Sequence, residues 1–97
     1  MIHPTQAAKI EYFKLLCAAL ESARIEFQAY GTNYNDPSVT IPLKGSDLLE
    51  VVAMAGDAVR LYATTVEGVQ PPRLLGTLTD LGDVLVLVKA RIDRSFA

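Results

Sequence analysis

The amino-acid sequence predicts an α+β domain in which helices and strands form two layers. An N-terminal segment carries apolar residues at helical spacing, which indicates an amphipathic helix. Three later segments alternate polar and apolar side chains, as half-buried strands do. The third observation is an internal similarity at an offset of 26 residues, which pairs two segments of the C-terminal half. The chain of 97 residues is expected to form one domain, 1–97.

Composition narrows the classes of function. Apolar residues make up 51% of the chain, enough to fill a core, and the formal net charge is −2. The basic residues are scattered, and only Lys89, Arg91 and Arg94 lie close together. Three cationic side chains are too few for the basic patch that nucleic-acid binding needs, so no nucleic-acid partner is expected. Cys17 is the single cysteine, which excludes an intramolecular disulfide.

The hydropathy pattern predicts no contact with a membrane. The longest uninterrupted apolar run, residues 84–88, has five residues, whereas a membrane-spanning helix needs about 20. The N-terminal segment lacks the basic region and the apolar run of a signal peptide. The protein is therefore predicted to be cytoplasmic.

The first predicted element is a helix over residues 4–22. Pro4 suits its first turn, where a missing N–H costs nothing. Its apolar face consists of Ile10, Phe13, Leu16, Cys17 and Leu20. Cys17 lies on this face, and we predict that it is an unreactive core thiol.

Two predicted strands follow, over residues 24–29 and 38–43, and both alternate polar and apolar side chains. The segment between them, residues 31–37, is rich in turn residues, so the two strands are expected to form a hairpin with a long loop. Pro42 cannot donate to a strand ladder, which places the second strand at a predicted sheet edge.

A second helix is predicted from Ser46 to the residue before Gly56. Ser46 resembles a helix N-cap, and Asp47 would lie in the first turn, where negative charge is favourable. Gly56 is a typical helix stop. A third predicted strand follows over residues 59–64, where apolar and polar side chains alternate.

The last segment is open to two interpretations. Six apolar residues repeat at spacings of three and four, which favours one long helix and a mostly helical bundle. Gly76 and Gly82 oppose that helix, since each costs about 1 kcal/mol relative to alanine. The internal similarity places Gly82 where the first copy has Gly56, and it therefore favours a helix over 73–81 and a strand over 84–92. The predicted order is α-β-β-α-β-α-β, with helices on one face of the sheet.

Two stretches carry a resemblance to a known family. The first is the run Ile2-His3-Pro4-Thr5-Gln6-Ala7-Ala8, and the second begins at Lys44-Gly45-Ser46 and continues through Gly56-Asp57 to Glu67-Gly68. With this element order, the chain resembles HPr, the phosphocarrier protein of the sugar phosphotransferase system. The resemblance covers roughly residues 2–82 and implies an open-faced two-layer sandwich.

The resemblance implies a phosphoryl acceptor at His3 and a regulatory phosphorylation site at Ser46. A histidine at a helix N-terminus is a suitable acceptor, because backbone N–H groups and the helix dipole stabilise the phosphoryl group. The sequence departs from the family where Thr5-Gln6 replaces its Arg-Pro. Because only Met1 and Ile2 precede His3, the family's first strand is missing.

The alternative interpretation is a non-catalytic protein–protein interaction module that forms a homodimer. It rests on the high apolar content, on the open sheet face expected of this fold and on the lack of a recognisable catalytic set. Tyr30, Tyr34 and Tyr62 are candidates for a recognition surface, or they pack on the sheet. The glycines and aspartates match neither a phosphate-binding nor a metal-binding motif, so no cofactor and no metal is expected.

The phosphocarrier hypothesis predicts phosphorylation of His3. Incubation with phosphoenolpyruvate and the general phosphotransferase enzyme of the host should place an acid-labile phosphoryl group on the protein, because a phosphohistidine hydrolyses in acid. The His3→Ala variant should remain unlabelled, and mass spectrometry at neutral pH measures both. Equal labelling of the two proteins would contradict an acceptor at His3.

Overall fold

The computed structural model describes residues 4–30, 37–54, 58–68 and 71–97. In this part of the chain the structure is α+β, with two helices and a five-stranded antiparallel sheet, so the predicted class is confirmed. In chain order the elements are α1 (Pro4–Ser22), β1 (Gln28–Tyr30), β2 (Ser38–Pro42), β3 (Asp47–Met54), β4 (Ala58–Thr65), β5 (Arg73–Leu78) and α2 (Leu81–Phe96).

The five strands form a meander in which each strand pairs with the next one along the chain. The central pair, β3 with β4, is in register over its whole length, from Asp47 opposite Thr65 to Met54 opposite Ala58. β5 pairs with β4 through a register shift at Leu61/Tyr62. Antiparallel neighbours explain this order, since consecutive antiparallel strands can be joined without a crossover.

The core lies between one face of the sheet and both helices. Side chains from α1 and α2 join those of β2, β3 and β4 in one buried cluster. The cluster comprises Tyr12, Phe13, Leu16, Leu20, Val39, Ile41, Leu49, Val51, Ala53, Val59, Leu61, Val84 and Val88. Within the strands these residues alternate with less buried ones, so they share a single sheet face.

The predicted helix over residues 4–22 is confirmed as α1. It ends in a Schellman motif, in which the N–H of Arg24 donates to the carbonyl of Glu21 and the N–H of Ile25 to that of Leu20. Arg24 occupies the left-handed region, with φ 59°. The same motif delays the first strand, so the prediction of a strand over 24–29 was wrong for all but its last two residues.

The predicted helix from Ser46 was wrong, because this segment is the strand β3. Ser46 instead lies in the turn between β2 and β3, where Gly45 has a φ of 68° that favours glycine. The apolar run of β3 fits either period, since Leu48 and Leu49 are adjacent and so are Val51 and Val52. This segment becomes a strand because it pairs with β2 on one side and β4 on the other. Local spacing does not reveal such pairing.

The predicted strands over residues 38–43 and 59–64 are confirmed as β2 and β4. The prediction that β2 lies at a sheet edge was wrong, because β1 pairs along its other side. Pro42 is tolerated because β1 reaches only as far as Thr40 in the register. No partner strand in the described structure therefore faces Pro42 on that side.

The last two elements were predicted the wrong way round: residues 73–78 form the strand β5, and residues 81–96 form the helix α2. The side chain of Asp80 caps α2 by accepting a hydrogen bond from the N–H of Asp83, at 3.1 Å. Val84 and Val88, one helical turn apart, are buried against the core. The cap at the N-terminus and the burial of these two valines together outweigh the β-branched composition and the unfavourable Gly82.

The alternative of a mostly helical bundle was also wrong, although its C-terminal helix exists as α2. Three of the predicted seven elements have the wrong type, and the predicted order α-β-β-α-β-α-β is replaced by α-β-β-β-β-β-α. Neither described helix is long and apolar enough to cross a membrane.

Two neighbouring leucines on α1 test the position of the core. Leu16 is fully buried and Leu15 is 57% exposed. Leu16→Ala is expected to lower the free energy of unfolding by roughly 2–5 kcal/mol, because it removes buried methyl groups and leaves a cavity. Leu15→Ala should change it by about 0.5 kcal/mol or less. Urea denaturation followed by circular dichroism measures both, and equal losses would contradict the orientation of α1.

Candidate functional site

The sheet has a second face that neither described helix covers, and we call it the open face. Strand alternation places on it the residues that point away from the core. Those from the four longer strands are Ser38, Thr40, Pro42, Leu48, Glu50, Val52, Met54, Ala58, Arg60, Tyr62, Thr64, Leu74 and Thr77. Gln28 and Tyr30 of β1 extend the face at one edge.

Apolar side chains occupy the middle of the open face. Leu48, Val52, Met54 and Tyr62 are each half-buried, although no described element lies over them. Tyr30 and Leu74 extend the apolar surface toward the two edges and are 47% and 51% exposed. Apolar side chains on a sheet face that no described element covers are a feature of protein interaction surfaces.

Four residues form the centre of the open face, and we call them the central block. Glu50 lies directly opposite Tyr62 on the neighbouring strand, and Val52 lies directly opposite Arg60. The two charged residues therefore share one diagonal of the block, and the two apolar residues share the other. The block lines a shallow concavity of about 350 Å³, to which Pro72 contributes from the segment before β5.

Glu50 and Arg60 are the two charged residues of the open face within the described chain. Glu50 is half-buried and Arg60 is exposed. Neither side chain makes a hydrogen bond or an ion pair with another described residue. Opposite charges on an otherwise apolar or uncharged surface can pair across an interface, where they set the orientation of the partner.

The residues implied by the HPr resemblance do not form a described site. His3 lies outside the described residues. Ser46 is exposed in the β2–β3 turn, and its backbone carbonyl accepts a hydrogen bond from the N–H of Val66 at 2.8 Å. The strand β3 follows Ser46 directly, so its hydroxyl does not cap a helix.

The structure describes two of the three tyrosines that were predicted as recognition candidates. Tyr30 and Tyr62 lie on the open face, and Tyr34 falls outside the described residues. Tyr12 is different, since it is buried in the core and donates from its hydroxyl to the carbonyl of Thr79, at 3.2 Å.

The central block was missed because its segment was predicted to be helical. Local spacing gave no signal for it, because the apolar residues of this segment fit both the helical and the strand period.

Cys17 lies on α1, is half-buried and packs against the core. Burial raises the pKa of its thiol, and the nearby carboxylate of Glu21 raises this pKa further. Because the thiolate is the reactive form, both effects lower the reactivity of Cys17 at neutral pH. The described residues contain no group of three or more histidine, cysteine or acidic side chains that could hold a metal ion.

Comparisons with known proteins assign the chain to no family. No family model matches the sequence, and neither a curated protein nor a solved structure resembles it significantly. The fold and the open face are therefore the basis for a functional hypothesis.

The raised pKa of Cys17 predicts slow alkylation. At pH 7.5 iodoacetamide should modify the folded protein more slowly than the urea-unfolded chain, because less of the folded thiol is ionised. The rate should rise with pH beyond the range in which an ordinary thiol titrates, and mass spectrometry over time measures it. Glu21→Gln should lower the pKa and speed the reaction. Equal rates for folded and unfolded chains would contradict the prediction.

Proposed function

We propose that the protein is a non-catalytic protein–protein interaction module that acts as a homodimer, with the open faces of two copies packed together. The observation that carries this proposal is the central block, in which two half-buried apolar side chains and one pair of opposite charges lie together on an open sheet face. A second copy supplies the complementary charges without any further partner.

The area of the open face suits a weak, transient interface. The five strands have 3, 5, 8, 8 and 6 residues, which at a rise of about 3.3 Å per residue and a strand spacing of about 4.8 Å gives a face of about 480 Å² per copy. Two such faces would bury about 950 Å² in total, in the range of weak and transient complexes. Sheet-on-sheet packing is also a standard way to bury an apolar strand face.

The central block is complementary to itself under two-fold symmetry. In a symmetric dimer the same patch is used on both subunits. A two-fold axis in the interface plane, close to the Val52–Tyr62 diagonal, would bring Glu50 of each copy opposite Arg60 of the other. Val52 and Tyr62 would then lie near their own counterparts, with aromatic rings at the centre of the interface.

The same geometry determines how the two sheets cross. Neighbouring strands lie about 4.8 Å apart, and alternate residues along a strand are about 6.8 Å apart. These spacings make the strands of the two copies cross at roughly 70°, closer to the orthogonal class of sheet packing than to the aligned class. The two charge pairs would lie on either side of the axis and would oppose other crossing angles.

Charge reversal tests this dimer. Glu50→Arg and Arg60→Glu should each raise the dimer dissociation constant at least tenfold, because each places like charges opposite one another. The double variant, with both charges exchanged, should regain much of the affinity. Analytical ultracentrifugation measures the three constants against wild type, and Glu11→Arg, on the exposed side of α1, is the control.

Three outcomes would contradict the proposal. The first is a wild-type protein that remains monomeric at millimolar concentration. The second is a dimer that neither reversal weakens, since another surface would then be in use. The third is a double variant that dimerises no more tightly than the single variants. This result would mean that Glu50 of one copy does not lie opposite Arg60 of the other. Circular dichroism of each variant establishes that the fold is retained.

The phosphocarrier function implied by the HPr resemblance stays a prediction. The helix that was expected to follow Ser46 is a strand, and His3 lies outside the described residues. No described contact favours phosphoryl transfer over the interaction module, so the phosphorylation of His3 remains its direct test.

A further inference from the structure

A separate cleft lies at one end of the sheet, where the β2–β3 turn, the end of β4, the start of β5 and the C-terminal half of α2 meet. Its volume is about 400 Å³, within the range of small-molecule sites. It is lined by Leu43, Asp47, Leu48, Ala63, Thr64, Thr65, Pro71, Arg73 and Arg91. We call it the arginine cleft.

Hydrogen bonds hold the walls of the arginine cleft in place. The N–H of Lys44 donates to the hydroxyl of Ser95 at 2.8 Å, which joins the β2–β3 turn to α2. The N–H of Val66 donates to the carbonyl of Ser46 at 2.8 Å, which joins the same turn to the end of β4. The cleft is therefore formed by elements that are already connected, and a ligand would not have to organise them.

The lining combines cationic, hydroxyl and apolar groups. Arg73 comes from β5 and Arg91 from α2, so residues far apart in sequence meet at one cleft. Thr65 adds a hydroxyl group and Asp47, directly opposite Thr65 in the register, adds one carboxylate. Two guanidinium groups against one carboxylate leave a net positive lining in a protein whose formal net charge is −2.

Asp47 does not pair with either arginine of the cleft. No hydrogen bond or ion pair joins its carboxylate to Arg73 or to Arg91 in the described structure. A guanidinium group offers five N–H donors in a planar fork that fits a carboxylate or a phosphate with two parallel hydrogen bonds. Arg91 is half-buried and Arg73 is exposed.

The geometry points to a binding site for a small organic anion in the arginine cleft. The anionic group, a carboxylate or a phosphate, binds to Arg73 and Arg91, while the hydroxyl group of Thr65, on the same face of the sheet as Arg73, adds a further hydrogen bond. The apolar part of the ligand packs on the side chains of Leu43, Ala63 and Pro71. Asp47 favours ligands that carry a hydrogen-bond donor and disfavours those with a second anionic group.

This inference does not rest on the proposed dimer. The cleft shares only Leu48 and Thr64 with the open face, and neither arginine of the cleft belongs to the central block. Titration of the Glu50→Arg variant with anions distinguishes the anion site from the dimer, because this variant should lose dimerisation and keep anion binding.

Titration by nuclear magnetic resonance tests the site. The probes are inorganic phosphate, acetate, hexanoate and, as a cationic control, butylamine. The side-chain Nε–H signals of Arg73 and Arg91 should shift with phosphate, with the carboxylates or with both, and not with butylamine. Stronger binding of hexanoate than of acetate would show that the apolar lining contributes, and the relative affinity of phosphate identifies the preferred anion.

Three substitutions locate the binding. Arg91→Met and Arg73→Gln should each weaken anion binding at least tenfold, whereas Arg91→Lys, which keeps the charge and loses the planar fork, should weaken it less than Arg91→Met. Arg94→Gln is the matched control, because Arg94 is an exposed residue of α2 that does not line the cleft. Its affinity should equal that of wild type.

Two results would overturn the assignment. One is the lack of any saturable shift of the Arg73 or Arg91 signals at millimolar concentrations of all three anions. The other is an equal loss of binding in Arg94→Gln and Arg91→Met, because this would indicate general attraction of anions to the surface. Circular dichroism of the variants excludes unfolding as the cause of a loss.

Discussion

The antiparallel ladder between β3 and β4 is the interaction on which the rest of the structure depends. It is the longest pairing in the sheet, and its two strands lie between β2 on one side and β5 on the other. Because side chains alternate along a strand, this register decides which residues enter the core. Val51 and Leu61 face the helices as a pair, and a shift by one residue would exchange them for Glu50, Val52 and their neighbours.

The helices cover only one face of the sheet because both pack on the same side of it. α1 precedes the meander and α2 follows it, and both contribute to the same buried cluster. Leu16 and Leu20 from α1 and Val84 and Val88 from α2 lie on the side of the sheet that is buried. The two helices cover this face over β2, β3 and β4, which supply the buried strand residues of the cluster, and the other face remains available for a partner.

The two proposed sites use different parts of this architecture. The central block lies in the middle of the open face, and it depends only on the β3–β4 register. The arginine cleft lies where the sheet ends, and it needs Arg91 of α2 as well as Arg73 of β5. Binding of a second copy and binding of a small anion are therefore compatible within one chain.

Local sequence signals determined only some of the elements. The N-terminal helix, β2 and β4 were predicted correctly, because their apolar residues follow one period and their ends carry proline, turn residues or glycine. The segments that became β3, β5 and α2 have apolar residues that satisfy both periods, and there the internal similarity at 26 residues was misleading. The capping aspartate at position 80 was the one local signal for α2 that the prediction overlooked.

The sequence by itself determined the α+β class and three core residues of the first helix, Phe13, Leu16 and Leu20. Only the tertiary structure decided that Glu50 and Arg60 share a diagonal of the open face, and that Arg73 and Arg91 meet in one cleft. The physical reason is that both arrangements depend on strand pairing and on the packing of α2, which are contacts between residues distant in sequence. Local propensity differs by only a few tenths of a kcal/mol per residue between helix and strand, so those distant contacts choose the structure.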